Sequence, residues 1–143
     1  MRKVVWIIGA CAVLVAVPAA QAAETVVYKA ALSGTAEAPP VETAGSGMAV
    51  VNADLGARQL SWQVVYTGLS GSVIGAHIHC GAPAGANAQI AVPLGAPPNL
   101  GSPIQGSGGM TDAQIQQLRS GLCYVNIHTE KNKPGEIRGQ LMP

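Results

Sequence analysis

Leu60, Trp62, Val64 and Tyr66 alternate with Ser61, Gln63, Val65 and Thr67. A strict period of two sends successive side chains to opposite faces, which describes a half-buried strand and is incompatible with a helix. The pattern recurs in shorter form. Val26, Tyr28, Ala30 and Leu32 alternate with Val27, Lys29 and Ala31. Met48 to Asn52, Ser72 to Cys80, Leu122 to Thr129 and Glu136 to Leu141 read as further strands, and Ala88 to Leu94 as a short one. Turn chemistry punctuates them at Asp54-Leu55-Gly56-Ala57, Gly68 to Gly71 and Pro134-Gly135. One helix is signalled: Thr111-Asp112-Ala113-Gln114 forms a capping box, Ile115 and Leu118 share a face, and Gly121 ends the segment. About seven strands and one short helix spell an all-β, antiparallel sandwich of immunoglobulin-like or Greek-key type.

Two segments lack this alternation. Residues 34–47 carry Pro39-Pro40, Glu37 and Glu42 and read as a surface loop. Residues 81–109 are rich in Gly, Ala and Pro and carry no charge. A segment of that length is either functional or mobile, or else a plain surface loop, and both readings stand.

The N-terminus bears on compartment. Arg2 and Lys3 precede an apolar run from Val4 to Val17, Pro18 breaks it, and Ala20-Gln21-Ala22 has the small-x-small form of a cleavage site. The run is shorter than the ~20 residues needed to span a bilayer. The expectation is a signal peptide over residues 1–23, cut near Ala22 or Ala23, leaving one periplasmic or secreted domain over 24–143 with no membrane attachment. Eight Lys+Arg against seven Asp+Glu leave a net charge of +1. No basic excess is available for a phosphate backbone, so a nucleic-acid partner is not expected. Cys11 falls in the leader, and Cys80 and Cys123 remain. An even count in an exported chain reads as one disulfide, with thiolate metal ligation as the alternative.

The histidines follow the strand parity. His77 and His79 sit two apart and so point the same way, while Ile78 and Cys80 face the other side. In the later strand His128 shares parity with Tyr124 and Asn126, opposite Cys123, Val125 and Ile127. If these strands are neighbours, the three histidines meet on an outer patch and the two cysteines on the core side. His-x-His plus a third His can hold copper or zinc. Asn126 or the backbone could orient a ring, and Glu130, Met110 or water could complete the shell. The competing reading is of surface or half-buried histidines satisfied by ordinary hydrogen bonds.

Catalytic constellations are sparse. Asp54 sits in a turn and Asp112 in the first turn of the helix, where a carboxylate favours the dipole. No Ser-His-Asp set has a suggestive local sequence. Nothing places Glu37 and Glu42 across a cleft as an acid/base pair. Glu136 and Arg138 share a strand face and read as a solvated ion pair.

Three stretches in order carry a resemblance: Gly75-Ala76-His77-Ile78-His79-Cys80-Gly81, Leu122-Cys123-Tyr124-Val125-Asn126-Ile127-His128-Thr129, and Pro134-Gly135-Glu136-Ile137-Arg138-Gly139-Gln140-Leu141. The chain resembles the chordin-type (CHRD) domain family over roughly Thr25 to Leu141. That resemblance implies an exported immunoglobulin-like β-sandwich with no established activity for most bacterial members. More distantly, Gly75-Ala76-His77-Ile78-His79 is similar to the copper-binding His-x-His strand of copper/zinc superoxide dismutases. The likeness implies copper ligation by His77 and His79, with His128 a third candidate lacking a matched counterpart. Residues 81–109 contain no His or Asp to match that family's bridging and zinc ligands, and its active-site arginine has no match.

The expectation is an exported, non-catalytic domain that holds copper through His77, His79 and His128. The alternative is a structural or interaction module that binds a protein partner and no metal. A copper redox enzyme ranks third, because no proton-handling residue is evident beside the histidines.

Overall fold

The computed structural model describes residues 24–143, and the leader expected over 1–23 lies outside the described residues. Eight strands are present: β1 (Thr25–Ser33), β2 (Ser46–Asp54), β3 (Gln59–Thr67), β4 (Val73–Cys80), β5 (Gln89–Pro93), β6 (Ile104–Gly109), β7 (Cys123–Thr129) and β8 (Ile137–Gln140). One helix, α1 (Asp112–Arg119), precedes β7, and a single 3-10 turn occupies Gly34–Ala36. All strand pairs are antiparallel, in the order β5-β4-β7-β8-β1-β2-β3-β6.

β1, β2 and β3 form a meander in unbroken register, with Thr25 opposite Asp54 and Ser46 opposite Thr67. The chain then crosses to a second half in which β4 lies between β5 and β7. A thin seam joins the halves, through Ser33 opposite Arg138 and Lys29 opposite Met142. The sheet thus folds over on itself as a nearly closed, sandwich-like barrel. Trp62 Nε1 ties the meander to the segment after β5 by donating to the Leu94 carbonyl at 3.0 Å.

The alternating positions build the core as their parity predicts. Tyr28, Leu32, Val51, Leu60, Trp62 and Val64 meet Ile78, Val125, Ile127 and Ile137. Burying side chains of this size contributes roughly 1.5–3 kcal/mol each. α1 adds Ile115 and Leu118. Its capping box is formed: Gln114 N–H donates to Thr111 Oγ1 at 3.3 Å, and Thr111 N–H to Gln114 Oε1 at 2.8 Å. Cys80 and Cys123 stand directly opposite in β4 and β7, on the core side, and are bonded at 2.03 Å. Among the described residues no helix is long and apolar enough to cross a membrane.

The strand count is eight rather than seven. The additional strand, β6, lies inside the segment read as a long loop and has the sequence Ile-Gln-Gly-Ser-Gly-Gly. Such a sequence carries little strand propensity. Gly106 pairs opposite Trp62, and a Cβ there would sit 2.7 Å from Trp62 Cζ2. The glycine that admits the indole is what removed the sequence signal.

The outer face of β7 and β8 is also covered. Every residue of β7 except His128 is buried, as are Ile137, Arg138 and Gly139 of β8. Asn87 Nδ2 donates to the Ala38 carbonyl at 2.9 Å, joining the loop after β1 to the loop after β4. Gln140 Nε2 donates to the Ala82 carbonyl at 3.2 Å. Of the histidines on this side, His79 is buried, and His77 and His128 are half-buried.

Candidate metal centre

β4 and β7 are neighbours, with His79 opposite Tyr124 and Gly75 opposite His128. That register brings His77, His79 and His128 together, and one nitrogen from each lies within 4.8 Å of the other two. Ring centroids are separated by 4.9 Å for His77 and His128, 5.7 Å for His77 and His79, and 5.9 Å for His79 and His128. His79 is buried, and His77 and His128 are half-buried.

Backbone carbonyls fix two of the rings. His79 Nδ1 lies 3.0 Å from the Ala88 carbonyl, and His128 Nδ1 lies 2.9 Å from the Lys133 carbonyl. A carbonyl can only accept, so each Nδ1 carries the proton and each Nε2 presents a lone pair. His79 Nε2, His128 Nε2 and His77 Nδ1 are buried atoms without a hydrogen-bond partner. Burial, reinforced by the neighbouring His128 and His79 rings, pushes His77 down to about 4. Burial also pushes His79 and His128 below the ordinary imidazole value. The result is three neutral imidazoles, two of them oriented by a carbonyl, and neutral imidazole is the state a metal ion requires.

The cluster contains histidines alone. Asn126 does not orient a ring; its Nδ2 donates to Glu37 Oε2 at 3.3 Å. Met110 packs in the hydrophobic core and Glu130 is exposed, so neither joins the cluster.

A stack buttresses His79. Its ring lies 4.8 Å from that of Tyr124, at an interplanar angle of 2°. On the β8 side Arg138 places Cζ 3.4 Å from the Tyr124 centroid, a close cation–π contact. Arg138 then donates to Asn87 Oδ1 at 3.2 Å, to the Ala86 carbonyl at 2.7 Å and to the Pro83 carbonyl at 3.4 Å. Ala88 N–H donates to Tyr124 Oη at 3.0 Å while its carbonyl holds His79. Part of the uncharged segment is thus a strap that fixes the His79 ring.

Glu136 and Arg138 are not a solvated ion pair. Glu136 is fully buried and Arg138 is 1% exposed, and they serve different networks. Glu136 accepts from Thr43 and Thr129 hydroxyls, each at 2.6 Å, and from Ser70 N–H at 2.7 Å and Ser70 Oγ at 2.9 Å. Burial would raise its carboxyl, but these donors hold it down at about 2. Central strands covered on both faces hide their polar residues, which two-fold alternation by itself does not reveal.

Glu37 is likewise no surface residue. It is 6% exposed, and burial pushes its carboxyl up to about 7 against the pull of Arg138. With Asn126, His79, Tyr124, Val41 and Pro134 it lines a cavity of about 280 Å³. Local sequence gave no signal for Ala88, which acts through its backbone.

A family model described as CHRD domain matches residues 28–141. No curated protein and no solved structure matches the chain.

Proposed function

The chain belongs to the CHRD domain family, and from that premise we propose that it is an exported, non-catalytic module that holds a copper ion through His77, His79 and His128. One observation carries the reading: three clustered histidines each keep a buried ring nitrogen that lacks any partner. Leaving a buried acceptor unmade costs ~1–3 kcal/mol, and a metal ion satisfies all three together. His77 would bind through Nδ1, and His79 and His128 through Nε2. An all-imidazole set suits copper and zinc alike. Copper is preferred for the likeness of the His-x-His strand to copper-binding ones; bound there, it would supply one-electron chemistry. The chain's own residues would hold and orient it. The Cys80–Cys123 disulfide supports a periplasmic or secreted location, since such bonds persist in oxidising compartments.

Competitive titration of the protein with Cu(I), Cu(II) and Zn(II) tests this. One equivalent of copper should bind, and His77→Ala and His79→Ala should each abolish uptake. Equal binding by wild type and variants overturns the assignment, and a preference for zinc overturns the choice of metal.

A metal-free interaction module is the second reading. Met48 and Val65, 44% and 43% exposed, lie side by side on the outer face of β2 and β3. A protein partner bound equally well with chelator present, and by the histidine variants, would favour it.

A further inference from the structure

Two of the three imidazoles are held by a carbonyl, His79 by Ala88 and His128 by Lys133. Nothing comparable holds His77, whose Nδ1 has no hydrogen-bond partner. Its ring rests instead on Gly75. The register of β4 against β7 shifts between Val73 and Gly75, so that Gly75 rather than Ile74 lies opposite His128. Gly75 is two residues before His77 and therefore on the histidine face of the strand. A Cβ built there would sit 3.0 Å from His77 Cε1, 3.6 Å from His77 Nε2 and 3.6 Å from His128 Cδ2. These three nearest atoms all belong to histidine rings, and none belongs to the backbone. Carbon atoms in contact stand ~3.5–4.0 Å apart, so a methyl group at Gly75 would displace the His77 ring by about 0.5 Å or more. Gly75 has no positive φ, so its backbone conformation does not call for glycine. A glycine inside a strand weakens it and often marks a close approach.

We infer that Gly75 is the positioning residue of the His77 ring: its bare backbone is the seat on which that ring lies, and packing there does what a carbonyl does for each of the other two. The consequence for copper rests on the reading of the preceding section, whereas the seat itself is a property of the metal-free fold. A ligand set must be held to within about 0.5 Å of its binding geometry. Filling the seat therefore moves His77 away from an ion shared with His79 and His128, which their carbonyls keep in place.

Gly75→Ala is the test, beginning with metal-free protein. In the wild type, NMR should show a cross-relaxation contact between Gly75 Hα and His77 Hε1, and its absence overturns the proposal whether or not the variant folds. In Gly75→Ala the His77 ring signals should shift while hydrogen exchange at the Ala88 amide, beside the His79 tether, stays as in wild type. In a His77→Ala background, where no ring occupies the seat, Gly75→Ala should leave the urea midpoint unchanged or raise it, because alanine suits a strand interior better than glycine. A lowered midpoint there would place the need for glycine elsewhere and overturns the assignment. Competitive titration should show copper bound about 10–100-fold more weakly by Gly75→Ala than by wild type, the range for losing a residue that orients a ligand. Wild-type affinity in the variant, or unmoved His77 signals, overturns the proposal. If wild type takes up no copper, the metal reading fails, and the ring contact and ring displacement still decide the role of Gly75.

Discussion

The carbonyl of Ala88 accepts the Nδ1 proton of His79 at 3.0 Å, so a loop backbone determines which nitrogen of this histidine is free to bind. That loop is held in turn by Arg138, which reaches Pro83, Ala86 and Asn87. Arg138→Met should release the strap, speed hydrogen exchange at the Ala88 amide, and weaken copper binding by about 10–100-fold, the range for loss of an orienting partner. Arg138→Lys keeps the charge but loses the planar fork and should recover little of it. Unchanged exchange at Ala88 in Arg138→Met would show that the loop does not depend on this residue.

The histidines make stability fall in mild acid. In the unfolded chain His77 takes a proton near its ordinary 6.5, whereas in the fold it does so only near 4. Between those values the unfolded state binds more protons, so stability drops as pH falls from 6.5 toward 4 and this contribution levels off below. Urea midpoints at pH 7 and pH 4.5 should differ more for wild type than for His77→Ala. An equal pH response in both would remove His77 as the cause.

Glu136 acts in the opposite sense, at lower pH. Its folded value of about 2 lies below the ordinary 4.5, so its contribution is complete above 4.5 and is lost as pH falls toward 2. Glu136→Gln keeps the shape but not the charge and should cost about 2 kcal/mol at pH 7. The deficit against wild type should shrink at pH 3. Denaturant unfolding of both proteins at the two pH values gives the comparison, and a pH-independent deficit would contradict the assignment.

The disulfide joins residues 43 apart in sequence. On the chain-entropy account its removal costs up to about 4 kcal/mol. Thiol counting on the oxidised, unfolded protein should find none from Cys80 or Cys123. Cys80→Ser/Cys123→Ser should keep the β-sheet circular dichroism signature and unfold at lower urea. An unchanged midpoint would mean that the β4–β7 ladder alone holds these strands.

Most of the β-framework was readable because alternation is a local property. Tyr28, Ala30 and Leu32 of β1, and Leu60, Trp62 and Val64 of β3, declare their buried face by spacing alone. The same parity put His77, His79 and His128 on one side and Cys80 and Cys123 on the other. The capping box at Thr111 and Gln114 was legible for the same reason, since its partners are three residues apart.

Parity names a face without naming what covers it. The burial of Glu37, Glu136 and Arg138, the strap at Ala88 and the cavity by Asn126 all come from segments packed across large sequence separations. β6 carries no alternation in its sequence, because its glycines make room for the Trp62 indole. The sequence by itself determined the strands, their faces, and which histidines and cysteines could meet. Tertiary structure alone decided that Glu37, Glu136 and Arg138 are buried and that His79 is held by Ala88, because the free energy of a buried charge or an oriented ring depends on groups that only the folded chain brings within hydrogen-bond distance.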